Sequence, residues 1–160
     1  MGVRTWAGIG AVALAFGAAA TVTAQASPKA APRSMAGDGV IHVVLGTGSV
    51  VFQDFDHDGM GLGDRLTARG RITRPEGPRI GTVYGDCVVA TKVLEGGRWW
   101  CRYVLDLPHG QITTEGIDPQ GISDVFFSIT GGTADYRDAR GQAEFVDSQS
   151  QTDVYVDLGG

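Results

Sequence analysis

From Val40 onward, apolar and polar residues alternate in run after run, and this two-residue rhythm confines the chain to β-structure. Leu66, Ala68, Gly70 and Ile72 interleave with Arg65, Thr67, Arg69 and Arg71, which gives a strand with one apolar and one charged face. Trp99, Cys101, Tyr103 and Leu105 share one face of a later run, with Arg102 and Asp106 on the other. Val125, Phe127 and Ile129, then Val154, Val156 and Leu158, repeat the pattern opposite Asp124, Ser128, Asp153 and Asp157. Strands are expected over 40–45, 49–55, 64–74, 80–92, 98–106, 111–116, 124–129, 142–147 and 151–158. The first two join as one strand bent at Gly46 and Gly48, where glycine permits a bulge, so the expected strands number eight. Turns at Glu95-Gly96-Gly97, Pro108-His109-Gly110, Asp118-Pro119 and Gly131-Gly132 link neighbours and favour a meander over a Greek key. No amphipathic run reaches helical length. The expected fold is all-β: an eight-stranded antiparallel up-and-down barrel that removes its edges by closure and encloses side chains or one small ligand.

The N-terminal stretch differs. Arg4 precedes an uncharged apolar run from Trp6 to Val22, followed by Ala24-Gln25-Ala26. That is the layout of a secretory signal peptide over residues 1–26, and it predicts a secreted, extracellular protein with no stable membrane insertion after cleavage. An uncleaved anchor is the alternative, since the run sits at the short edge of what spans a bilayer. Residues 27–38, rich in Pro, Ala and Ser, read as a disordered linker to a single domain over 39–160. The formal net charge is −5, and cleavage would remove one more positive charge, Arg4. No basic cluster offers itself to phosphate backbones, so nucleic acid is excluded as a partner. Two cysteines, Cys87 and Cys101, in an exported chain favour a disulfide, with two free thiols as the alternative.

Four groups of residues bring a family into view: Gly63-Asp64-Arg65-Leu66; Arg79-Ile80-Gly81-Thr82 with Gly85-Asp86-Cys87-Val88; His109-Gly110-Gln111-Ile112 with Gly116; and Ile129-Thr130-Gly131-Gly132-Thr133 with Gly141. In this order and spacing they resemble the allene oxide cyclase barrel family. Gly131 to Gly141 also resembles the matching loop of plant dirigent proteins, and the likeness covers roughly residues 50 to 150. The resemblance implies a lumen that binds a long unsaturated or aromatic molecule and folds it before ring closure, with no cofactor, and it implies a trimer. Such catalysis works by holding a reactive intermediate in one near-attack conformer, with polar groups anchoring an oxygen and stabilising charge. The first-strand pocket residues of allene oxide cyclases, a Glu and an Asn, correspond to Gln53 and Phe55 here, so their charged partner is absent. The family's pocket cysteine corresponds to Cys87. Dirigent proteins carry an Asp matched by Asp54 and an Arg matched by Arg137 or Arg140, which implies a carboxylate and a guanidinium near one mouth.

The candidate site therefore comprises Asp54, Tyr103 and Arg137 as polar catalytic groups, with Gln53, Phe55, Cys87, Thr114, Phe127 and Tyr136 as substrate contacts. Tyr103 lies on the inward face beside Cys101, where its hydroxyl would either meet a substrate oxygen or satisfy a backbone carbonyl. Tyr136 is placed to cover an apolar mouth. Asp54-Phe55-Asp56-His57-Asp58-Gly59 opens like a calcium loop, but Arg65 stands where a bidentate Glu belongs and no helix flanks it, so an acidic turn without a metal is expected. His42, His57 and His109 are scattered and support neither a triad nor a zinc site. Arg65, Arg69 and Arg71 form an outer charged stripe, and Trp99 and Trp100 point to opposite faces. Phe127, Tyr103, Trp99 and Leu105 have the bulk to plug the centre, whereas Ala68, Gly70, Gly85 and Ala143 leave room. Two functions follow as expectations: a secreted barrel that steers the stereoselective cyclisation or coupling of an apolar small molecule, or a non-catalytic extracellular barrel that only binds one.

Overall fold

The computed structural model describes residues 4–5, 39–91, 97–119, 123–148 and 150–159. The apolar run, the linker and the Glu95-Gly96 part of one expected turn lie outside them. Among the described residues no helix is long and apolar enough to cross a membrane. The strands are β1 (Arg4–Thr5), β2 (Val40–Gln53), β3 (Arg65–Thr73), β4 (Arg79–Thr91), β5 (Arg98–Leu107), β6 (Gly110–Pro119), β7 (Asp124–Gly132), β8 (Gln142–Asp147) and β9 (Thr152–Asp157). Every pairing is antiparallel between chain neighbours, and β9 returns to β2, so β2 to β9 close an eight-stranded barrel. The alternation seen in the sequence settles which side chains face inward. Ile72, Leu105, Ile112, Val154 and Val156 are fully shielded from solvent, while Trp100 and Phe126 stand out from the outer wall. Trp99 is buried where Trp100 is 41% exposed, as adjacent strand residues require.

The expected strands form, with differences in β6, β7 and the N-terminal segment. As expected, β2 is one strand bent at its glycines, and its register against β3 shifts between Gly46 and Ser49. A Cβ on Gly48 would lie 1.7 Å from the Arg69 carbonyl oxygen, so glycine is required there for close approach rather than for a turn. β7 runs through Gly131-Gly132, where a turn was expected. A Cβ on Gly132 would meet the Tyr136 and Gln111 carbonyl oxygens at 2.2 and 2.7 Å, so this glycine lets a short 3-10 turn (Ala134–Tyr136) fold against the strand end. β6 likewise continues through Asp118-Pro119, because Trp99 and Arg98 of β5 pair with these two residues. The two-residue strand β1 falls in the segment read as a signal peptide and pairs with Val51 and Phe52.

The barrel closes unequally along its length. β9 pairs with β2 only from Val40 to Leu45. Beyond the bulge, the remainder of β2 keeps β3 on one edge and has only β1 on the other. Toward one end of the lumen the buried side chains of Ile72, Leu105, Ile112 and Val156 pack together. The other end opens along the β2 seam.

The bulge is the hinge of that asymmetry. Gly48→Ala should destabilise the fold by about 2 kcal/mol or more, because the backbone of β2 or β3 must move to admit a Cβ. Urea denaturation would measure this, and an unchanged midpoint would show that the strands do not approach as described.

Candidate functional site

Three aromatic rings form the centre of the barrel. Tyr103 of β5, Phe127 of β7 and Phe145 of β8 make contact pairwise, with centroids 4.9 to 5.3 Å apart in edge-on or tilted arrangements. They fit because small residues face them. A Cβ on Gly85 would lie 2.8 Å from the Tyr103 ring, and one on Gly116 would lie 2.9 Å from Phe127. Phe127 and Phe145 are buried, so Tyr103 is the ring of the three that borders open space. That space is a cavity of about 490 Å³ along the β2 seam, bounded by Val50, Ala68, Gly70, Gly85, Tyr103, Asp147, Ser148 and Ser150 to Thr152. Ala143, by contrast, is buried opposite Phe127 and leaves no room of its own.

Cys87 and Cys101 face each other directly on β4 and β5 and form a disulfide across the barrel wall. With the cysteines 14 positions apart in the chain, the chain-entropy model assigns the disulfide about 3 kcal/mol of stability. Sulfur committed to a disulfide has no proton to give, so the Tyr103 hydroxyl donates to Cys87 Sγ at 3.6 Å. Burial pushes the Tyr103 phenol well above its ordinary range, and the charges of Asp118 and Asp147 push it further. It is therefore a neutral donor across the physiological range, held by a weak sulfur acceptor that a ligand oxygen could replace. Directly opposite Tyr103, Thr114 of β6 is fully buried, and its Oγ1 has no hydrogen-bond partner among the described residues.

Tyr103, Cys87, Thr114 and Phe127 thus come together in the lumen. The other sequence candidates lie elsewhere. Gln53 pairs with Arg65 on the outward parity of β2, and Phe55 is 63% exposed in the loop beyond it. Asp54 accepts the backbone N–H groups of His57 at 2.6 Å and Gly59 at 3.2 Å, which ties its carboxylate to its own loop. Asp54, Asp56 and Asp58 bring carboxylate oxygens within 4.8 Å of one another on the exposed side of this turn. Arg137 lies past the end of β7, exposed and ion-paired to Asp138 at 3.4 Å. A shared mouth for Asp54 and Arg137 is ruled out, because β2 and β7 run in opposite senses and end at opposite ends of the barrel. Tyr136 is partly buried at the closed end, where it borders a second hollow with Ile41, Ile80 and Leu107. The three histidines remain apart: His42 bonds Asp153 at 2.9 Å, His109 pairs with Asp135 at 3.7 Å, and His57 sits in the acidic turn. On the outer wall Arg65 pairs with Asp86, and Arg69 lies over the Tyr84 ring.

Two inward acids were not among the sequence candidates. Asp118 continues the inward parity of Thr114 and Gly116, and Asp147 continues that of Ala143 and Phe145. Asp147 accepts the Thr152 hydroxyl at 2.6 Å at the rim of the cavity. Parity within the expected 142–147 strand places Asp147, whereas Asp118 was hidden by the turn signal at Asp118-Pro119.

A profile described as "Allene oxide cyclase barrel like domain" matches residues 47–158. The chain belongs to this family. Among solved structures, a pyocyanin demethylase is similar with a TM-score of 0.67 and 19% identity, over 75% of this chain and 99% of the other. A Diels–Alderase from Streptomyces koyangensis is similar with a TM-score of 0.58 and 19% identity, over 76% of this chain and 65% of the other. An exo-specific intermolecular Diels–Alderase matches with a TM-score of 0.58 and 14% identity, over 73% and 94% of the respective chains. At these identities the likeness establishes the allene oxide cyclase-like barrel and nothing finer. No curated protein resembles the chain at a significant level.

Burial, then the charge of Asp147, pushes the Asp118 carboxyl above its ordinary value. A raised acid contributes stability that is present in acid and lost as pH rises through the raised value. Asp118→Asn keeps the shape and removes the charge, so it should raise the melting temperature at pH 7.5, with the gain shrinking toward pH 3. Equal melting temperatures at both pH values would mean that Asp118 is not held against Asp147 in the lumen.

Proposed function

We propose that this barrel binds an apolar small molecule in its lumen and steers its stereoselective cyclisation or coupling, outside the cell. The observation that carries the reading is Tyr103. Its neutral, buried phenol borders a cavity of about 490 Å³ that is otherwise lined largely by small and apolar residues. A substrate held there would have few conformers, and restricting a flexible intermediate to a reactive one lowers the entropic part of the barrier. The phenol would move from Cys87 Sγ to a substrate oxygen and stabilise charge that develops on it. Thr114, one strand over, would supply a second polar contact. The Diels–Alderases of similar fold agree with a role of this kind.

Export is supported by the Arg4, apolar-run and Ala24-Gln25-Ala26 layout, and by the disulfide, which suits an oxidising compartment. Cleavage after Ala26 would also remove β1 from the edge of β2 and widen the seam. The simpler alternative, a barrel that binds without transforming, rests on the same cavity.

Native mass spectrometry of protein recovered from culture medium tests the proposal. We expect a chain starting at Ser27 with its cysteines oxidised, retaining a small molecule after incubation with culture extract and releasing it rearranged. Release of an unchanged molecule would favour the binding role, and failure to retain anything would contradict both. Where turnover is found, Tyr103→Phe should lower it roughly tenfold or more, as loss of an oxyanion donor does.

A further inference from the structure

Apolar side chains are unevenly spread over the outer wall. Tyr84 of β4, Trp100 of β5, Ile117 of β6 and Phe126 of β7 face outward, each 41 to 53% exposed. Trp100 and Ile117 are direct cross-strand partners. Phe126 is the next outward residue of β7 beyond Ser128, the partner of Glu115, so it stands beside them. Large aromatic side chains grouped in this way on a water-facing wall mark a surface that another molecule covers. A belt of charge crosses the same strands next to this row, where Arg102 is paired in register with Asp86 of β4 and with Glu115 of β6. Its guanidinium stands 3.9 Å from the Asp86 carboxylate and 4.0 Å from that of Glu115, beyond hydrogen-bonding range, so its donors remain open to a further acceptor.

We propose that this wall docks on the same wall of a second copy, about a two-fold axis that runs parallel to the strands between β5 and β6. The operation lays β5 of each copy over β6 of the other. Because Trp100 pairs with Ile117 and Arg102 with Glu115 in register, Trp100 then covers the partner's Ile117, and Arg102 meets the partner's Glu115. Opposite signs straddle the axis, so the surface is complementary to itself and the contact closes at two copies. An anionic lipid surface or a polyanion would find one arginine between two carboxylates here, with no net positive charge to hold it. Two convex walls touch over few strands, which makes the interface small and its Kd on the order of micromolar. In the ring of strands the β5–β6 boundary lies opposite the junction of β9 with β2, so pairing leaves the seam open in both copies.

Sedimentation velocity of the intact, oxidised protein from about 1 to 100 µM brackets such a constant and reads the contact directly. A reversible monomer–dimer equilibrium is expected. Trp100→Ser should weaken it roughly tenfold or more, as loss of a central aromatic anchor does. Arg102→Glu and Glu115→Arg should each be monomeric, because like charges then meet across the axis. An equimolar mixture of the two should re-form a dimer, since every carboxylate then faces a guanidinium. Melting temperatures close to that of the parent protein verify that each variant folds, and Trp100→Ser, which leaves the charged belt intact, reads the same contact if one of them does not. A protein that stays monomeric at all concentrations, including one that instead floats with phosphatidylcholine vesicles, overturns the proposal. So does a trimer, or a dimer that survives both charge reversals.

Discussion

Everything in this molecule depends on how far β9 stays bonded to β2. The two strands share hydrogen bonds from Val40 to Leu45, and there the eight-stranded sheet becomes a tube with apolar side chains packed inside. Past Leu45 the β2 backbone slides by the bulge at Gly46 to Ser49, made possible by the contact of Gly48 with the Arg69 carbonyl, and the tube parts along one side. A barrel of this size has room for side chains or one small ligand. Here it holds side chains at one end and a cavity at the other. The packed end supplies rigidity, and the seam supplies access.

The chemistry at the seam follows from what surrounds Tyr103. Desolvation and two nearby carboxylates keep its proton on, so the phenol can donate but cannot serve as a base near neutral pH. Oxidation of Cys87 and Cys101 gives that donor a weak acceptor to rest on and removes the two thiols as nucleophiles. The proposed chemistry draws on a neutral donor, a Thr114 hydroxyl with no partner among the described residues and a shaped apolar wall, and it would be governed by conformation with no covalent enzyme intermediate.

Strand parity was legible in the sequence because solvent lies on one face of each strand and the core on the other. Leu66, Ala68, Gly70 and Ile72 declare their side without help from the rest of the chain. Lumen membership of Tyr103, Thr114 and Phe127 followed from the same rule, and that of Cys87 from the family resemblance. The placement of Asp54 and Arg137 did not, because motif likeness carries no information on which end of the barrel a loop occupies. An up-and-down meander with an odd number of reversals between β2 and β7 sends their ends to opposite mouths, and that topology was available to correct the pairing. The role of Gly131-Gly132 was hidden for another reason. Glycine marks close backbone approach as readily as a turn, and only the Tyr136 and Gln111 carbonyls decide between them. Asp118 was masked by the turn signal of the proline after it.

The lumen is hollow at the β2 seam and filled by side chains around Ile72, Leu105 and Ile112. A crystal structure under xenon pressure tests it directly, since xenon occupies apolar cavities that admit it. Xenon is expected between Ala68, Gly85 and Tyr103 and not among Ile72, Leu105 and Ile112. Xenon absent from the seam, with the second half of β2 closed onto β9, would contradict it.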